Sequence, residues 1–253
     1  MAETLQLRLL GHPEVRLAGV VVTESLAAKA QAILYYLAVT GQPQSRSALA
    51  YLLWGNTPEA AARSSLRKAL ANLRQTLGEF LDLDGQIIAF KADQPYWVDV
   101  VEFVAKASVT SSASAARQIQ EAVALYRDDF LTGFYVREAL EFETWTLAEQ
   151  ARLRELLILA LHTLATHYAE RGEWAQGIEA VRHLLSLEPW REEAHRQLMW
   201  LLAQDGQRSA ALVQFETCRK VLVEELGVAP GAETAALYEQ IRTGALSKGA
   251  TST

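Results

Sequence analysis

The feature that most constrains this 253-residue chain is a self-similarity in its last third. Leu164, Ala165, Tyr168, Gly172, Gly177, Val181, Leu184 and Pro189 are answered 34 residues later by Leu198, Met199, Leu202, Gly206, Ala211, Phe215, Cys218 and Val223. Seven of the eight partners suit a packed pair of helices, and Val223 departs only in lacking the proline. A unit of that length is one helix-turn-helix, which cannot bury its apolar face alone, so neighbouring units must stack. The two glycines recur in register where one helix must stop and the next begin. Glycine takes the left-handed backbone of such a stop without steric cost. Ahead of the repeat, Glu138 to Glu170 contains neither Gly nor Pro and keeps a 3.6-residue apolar rhythm, which predicts one long helix or two abutting ones.

The beginning of the chain obeys a different period. Leu5-Gln6-Leu7-Arg8-Leu9 alternates apolar and polar residues, Glu14-Val15-Arg16-Leu17 resumes the alternation after Gly11-His12-Pro13, and Val20-Val21-Val22 is β-branched. These predict a small antiparallel sheet. A helix follows near residues 29–38, with Ala30, Ile33, Leu34 and Leu37 on one face and Gly41 closing it. Ser45 then caps a short helix that Gly55-Asn56-Thr57-Pro58 breaks. A third helix is predicted over 58–77, with Thr57 as its cap, Pro58 in its first turn and Gly78 as its stop. At 100° per residue from Arg63, Leu66, Leu70, Leu73 and Leu77 fall between about 280° and 340°. Arg67, Arg74, Ser64, Gln75, Lys68 and Asn72 fall between about 20° and 180°. One face is leucine and the other is basic and amide-bearing. Phe80–Leu83, Gln86–Phe90 and Tyr96–Val100 read as further strands, and no strand is predicted beyond them.

Strands, three helices and a late hairpin followed only by helices predict an α+β winged helix-turn-helix domain over residues 1–98. An all-α domain is predicted over 99–246 and a small polar tail over 247–253. The formal charge of −6 is unevenly spread: residues 1–98 carry net +1 and the remainder net −7. For binding nucleic acid, what counts is whether cations gather on one element, and helix three is that element. The lone Cys218 excludes an internal disulfide and reads as a small buried side chain. His12, His162, His167, His183 and His195 lack paired metal-ligand spacing, and neither a phosphate-binding loop nor a nucleophile elbow occurs, so no metal, cofactor or enzymatic activity is expected. The first residues carry no signal-peptide pattern and no apolar run approaches a membrane span, which places the protein in the cytoplasm.

Four segments together carry a family likeness: Ala62-Arg63-Ser64-Ser65-Leu66-Arg67-Lys68-Ala69-Leu70-Ala71-Asn72-Leu73-Arg74, Val98-Asp99-Val100-Val101-Glu102-Phe103, Ala124-Leu125-Tyr126-Arg127-Asp128-Asp129-Phe130-Leu131, and Glu224-Glu225-Leu226-Gly227-Val228-Ala229-Pro230. Over roughly residues 5–243 the chain resembles the Streptomyces antibiotic regulatory proteins with their bacterial transcriptional activator domain. The resemblance implies a winged helix of the response-regulator type joined to tetratricopeptide-like helices. It also implies binding to promoter repeats in double-stranded DNA and recruitment of RNA polymerase.

In a helix-turn-helix the second helix of the pair enters the major groove. Ser64, Arg67, Lys68 and Asn72 are therefore candidates for base edges or the groove, and Arg63 and Arg74, nearer the leucine seam, for phosphates. Arg46, at the amino end of the preceding helix, is a phosphate candidate, and Lys91, between two late strands, a wing candidate. A homodimer on DNA fits repeated sites. The alternative readings are a protein-interaction adaptor whose winged helix no longer engages DNA, and the front end of a longer sensor protein. The aromatic residues of the second half are expected to pack between helices.

Overall fold

The computed structural model describes residues 4–91, 93–109 and 115–246; the predicted tail, 247–253, lies outside them. They form two compact units. The first holds the described residues up to Val109 together with Glu121–Leu156, and the second holds residues 115–120 and 157–246.

In the first unit, strands β1 (Leu5–Arg8), β2 (Glu14–Leu17) and β3 (Val20–Val21) form the expected antiparallel meander. The alternation of β1 is realised as buried Leu5 and Leu7 against half-buried Gln6 and Arg8. Helix α1 (Ala28–Thr40) ends on Gly41 in the left-handed conformation, as its position predicts. A short strand β4 (Gln44–Ser45), which the sequence does not announce, precedes α2 (Arg46–Trp54) and α3 (Glu59–Leu77). Strands β5 (Leu81–Asp82) and β6 (Ile87–Phe90) make the hairpin, and β4 pairs with β6 to give the order β4-β6-β5. Strand β7 (Tyr96–Val98) returns to the first sheet and lies parallel to β1, so that sheet is not wholly antiparallel.

Two sequence expectations are corrected here. Tyr96–Val100 is not one strand, because Asp99 begins helix α4 (Asp99–Ala107). The Asp99 carboxylate is only 1% exposed. It accepts hydrogen bonds from the amides of Leu9 (2.7 and 2.8 Å), Leu10 (3.0 Å) and Val100 (2.8 Å) and pairs with Arg127 at 3.2 Å. Burial raises its pKa above the ordinary carboxylate value, and these donors oppose that rise. Position 98 is also not the edge of the compact unit. Leu131 donates its amide to the Leu9 carbonyl, and Trp145 lies edge-on to both Tyr36 and Phe130, so the residues after 98 complete the core begun by the first strands and helix. A fragment of residues 1–98 would leave the amides of Leu9 and Leu10 without an acceptor.

The second unit contains the repeat. Helices α5 (Ala115–Leu125) and α6 (Leu140–Glu170) each divide between the units, and α7 (Trp174–Leu187), α8 (Glu192–Gln204), α9 (Arg208–Leu226) and α10 (Ala232–Thr243) follow. Gly172 and Gly206 both adopt positive φ, 71° and 78°, at the predicted turns. Where the repeats differ, so do the helices: α7 stops before Pro189, whereas α9 runs through Val223 to Leu226. Valine retains the amide and avoids the ring clash that proline would bring to a helix interior. Trp174 packs edge-on to Trp200 and Phe215 stacks on Tyr238, as expected of the aromatics, while Trp190 remains 45% exposed. Cys218 is buried, which pushes its thiol up to about 11.

His195 joins the loop between α7 and α8 to α9. Its Nε2 lies 2.7 Å from the Pro189 carbonyl, which can only accept, so Nε2 carries the proton and Nδ1 accepts from the Gln214 amide at 2.6 Å. Burial lowers its pKa below the ordinary histidine value of 6.5. A depressed value means that the unfolded chain takes up the proton first. The contribution to stability is therefore complete above pH 6.5 and lost as the pH falls towards the folded-state value. Thermal melts of the full chain are expected to shift downward between about pH 7 and pH 5, and less so in His195→Gln. Identical pH dependence in the two would refute this account.

Candidate nucleic-acid interface

Helices α2 and α3 are set by local chemistry at one end and by distant partners at the other. The Ser45 hydroxyl accepts the Ala48 amide at 3.1 Å, the predicted cap of α2. The carboxyl end of α2 meets Lys29 of α1, whose ammonium donates to the Leu53 carbonyl at 2.7 Å and lies 4.6 Å from the Trp54 ring centroid. The start of α3 departs from expectation: Pro58, not Thr57, is the capping residue, with no side-chain cap, and the Thr57 amide bonds the Trp54 carbonyl instead. Glu59 supplies the negative charge in the first turn.

Along α3 the leucine seam is buried as predicted, with Ala62, Leu66, Ala69, Leu70, Leu73 and Leu77 in the core. Arg63, Ser64, Arg67, Lys68 and Arg74 are exposed. A groove of about 800 Å³ runs between α2, α3 and the hairpin, lined among others by Ser47, Tyr51, Arg63, Arg67, Gln86 and Ile87. The side chains of Arg67 and Lys68 make no hydrogen bond or ion pair among the described residues. Arg63 pairs with Glu59 one turn earlier, and Arg74 pairs with Asp84 in the turn of the hairpin.

Three of the candidate residues are committed to the protein itself. Asn72 uses both ends of its amide at the start of α1, accepting from the Ala27 amide at 2.8 Å and donating to the Ser25 carbonyl at 3.1 Å. It serves as a cap supplied from another helix rather than as a free groove-reading group. Arg46 does not present its guanidinium at the helix amino end; Nε donates to Gly85 O at 2.8 Å and Nη2 to Leu83 O at 2.7 Å. Lys91 donates to the Gly78 carbonyl at 3.0 Å, next to the carboxyl end of α3, and is half-buried there. No local pattern announces these roles, because the partners lie 13 to 47 residues away. Sequence reasoning also passed over Tyr51, Gln86 and Ile87 on the groove wall, for the same reason.

A capped helix followed through a tight turn by a second helix with one leucine face and one cationic face, flanked by a three-stranded hairpin sheet, defines a winged helix-turn-helix DNA-binding protein. Its companion unit is a stack of helical hairpins. The family model of the bacterial transcriptional activator domain matches residues 98–242, and the chain belongs to that family. It is a DNA-binding transcription regulator of the Streptomyces antibiotic regulatory protein type. It is 27% identical over 252 residues to the transcriptional regulatory protein MoaR1 of Mycobacterium tuberculosis, covering 95% of this chain and 80% of that one. It is 26% identical over 266 residues to the regulatory protein DnrI of Streptomyces peucetius, covering 94% and 92%. The solved structure of Mycobacterium tuberculosis EmbR in complex with a low-affinity phosphopeptide shares the fold, with a TM-score of 0.72 at 24% identity, over 96% of this chain and 66% of that one. Among the described residues no helix is long and apolar enough to cross a membrane.

Proposed function

We propose that this regulator binds repeated promoter sites in double-stranded DNA through the exposed face of α3. Arg67 and Lys68 contribute most, with Ser64, Arg63 and Arg74 beside them. Its acidic helical unit contacts protein, RNA polymerase or a second copy on the adjacent repeat. It works in the cytoplasm as an activator, without a cofactor and without catalysing a reaction. The observation that carries this reading is the pair of exposed cations on α3 that have no partner among the described residues, in a chain whose net charge is −6. Free cations opposite a buried seam suit a polyanion, whose condensed counterions they release on binding. Asn72, Arg46 and Lys91 then act in the fold around the interface and not at the DNA.

Selection of fragments of the source genome by the full chain tests this directly. Enriched fragments carrying repeats with centres one helical turn or a multiple apart, and bound with steep salt dependence, are the expected outcome. Recovery no better than random fragments, with binding indifferent to salt, would shift the function to a protein-interaction adaptor.

A further inference from the structure

The turn of the wing hairpin is acidic where a DNA-binding wing needs positive charge. Between Leu81 and Phe90 the chain carries Asp82 and Asp84 and no cation, and Lys91 just beyond is turned to Gly78. Asp84 is 87% exposed at the side chain, yet its position is constrained. The guanidinium of Arg46 holds the carbonyls of Leu83 and Gly85, the residues on either side of Asp84, and the Arg46 amide donates to the Gln86 carbonyl at 3.0 Å. The turn is thus pinned from the α2 side. The Asp84 carboxylate is left facing α3, where it pairs with Arg74 across a sequence distance of ten residues.

We propose that Asp84 is an intramolecular stand-in for a DNA phosphate: it occupies Arg74 in the free protein and must be exchanged for a phosphate oxygen when DNA binds. The proposal rests on the DNA-binding reading of α3 given above. Arg74 meets Asp84 through one Nη2–Oδ1 contact, and a phosphate oxygen can accept from the same guanidinium in its place. The Arg63–Glu59 pair differs, since it spans a single helical turn and its two exposed side chains can part freely. At Asp84, Arg46 fixes the backbone on either side, so the carboxylate stays in the neighbourhood of Arg74 even when its side chain turns. The exchange therefore leaves a carboxylate close to the incoming phosphate, and this limits how tightly any duplex is held. Arg46 is a positioning residue here, acting through the turn it fastens.

A double-mutant cycle on a random-sequence duplex, with the full chain, tests the proposal without knowledge of the operator. Asp84→Asn is expected to tighten binding by about three- to fivefold at low salt, the scale of an exposed ion pair. It should also steepen the salt dependence by up to about one unit. Arg74→Ala should weaken binding. In the Arg74→Ala background, Asp84→Asn should have little further effect, because the cation whose exchange it eases is gone. An equal gain from Asp84→Asn in both backgrounds would mean that the acid acts through its general field, and the stand-in role would be wrong. No gain in either background would refute it as well. Binding by none of the four forms would overturn the DNA-binding reading itself, and this proposal with it.

Discussion

Replacing Asp99 by alanine is expected to lower the melting temperature of the chain by about 10 °C, with the loss confined to the first unit. The carboxylate is the acceptor for the amides of Leu9 and Leu10, where strand β1 has ended, and for the Val100 amide at the start of α4. Truncation leaves the amides of Leu9 and Leu10, residues that are both 0% exposed, without this acceptor. Each orphaned buried donor costs about 1–3 kcal/mol. Arg127, 44% exposed, loses its partner but can turn to water, so its share is small. A total of about 3–5 kcal/mol follows, as is typical for one half of a buried charged network. Asp99→Asn should recover little of this, since an amide presents two donors among donors. Arg127→Ala should cost much less than either. Thermal denaturation of the three variants checks the order, and an Asp99→Ala chain that melts like the wild type would show that another acceptor takes over at Leu9 and Leu10.

The second large effect concerns DNA. Joint replacement of Arg67 and Lys68 by alanine is expected to weaken binding to any duplex by about tenfold or more at physiological salt and to flatten the salt slope by about two units, near −0.9 per phosphate contact. These two cations have no partner among the described residues, so their electrostatic contribution is available to DNA. Arg63 and Arg74 must first leave Glu59 and Asp84, and single alanine replacements there should cost less. If Arg67 reaches a base edge, Arg67→Ala will in addition cost on the order of 1–3 kcal/mol on the preferred site relative to random DNA. Asn72→Ala is the internal control. Loss of its cap to Ala27 should appear as about 1 kcal/mol of stability, with the salt slope unchanged. Titrations at several salt concentrations decide the matter. An unaltered slope in the Arg67/Lys68 double variant, with the fold intact, would exclude α3 as the DNA-facing element.

The difference between Asn72 and Arg67 shows where sequence reasoning holds and where it stops. Both lie on the polar side of α3 when the helix is drawn as a wheel, and both residue types can read bases. The wheel correctly separated Leu66, Leu70, Leu73 and Leu77 from the rest, because burial follows the 3.6-residue period of the helix itself. It could not tell which polar groups would be taken by the protein. That depends on what the fold brings alongside, and for Asn72 it is Ser25 and Ala27 of a different element. The same holds for Arg46 and Lys91, whose carbonyl partners belong to the wing turn and to the end of α3.

By itself the sequence determined the elements whose information is local: the alternation of β1, the Gly41 stop, the Ser45 cap, the leucine seam, and the glycine turns of the 34-residue repeat. It also carried the family, because short segments in a fixed order are a property of the chain. Only the tertiary structure decided that β7 returns parallel to β1, that Asp99 closes the first unit from beyond its expected boundary, and which of the cations on and around α3 are left free. Those features arise from pairings between residues far apart in the chain. A hydrogen bond or an ion pair is fixed by the distance between two groups in space, and sequence spacing sets that distance only within a single helix or strand.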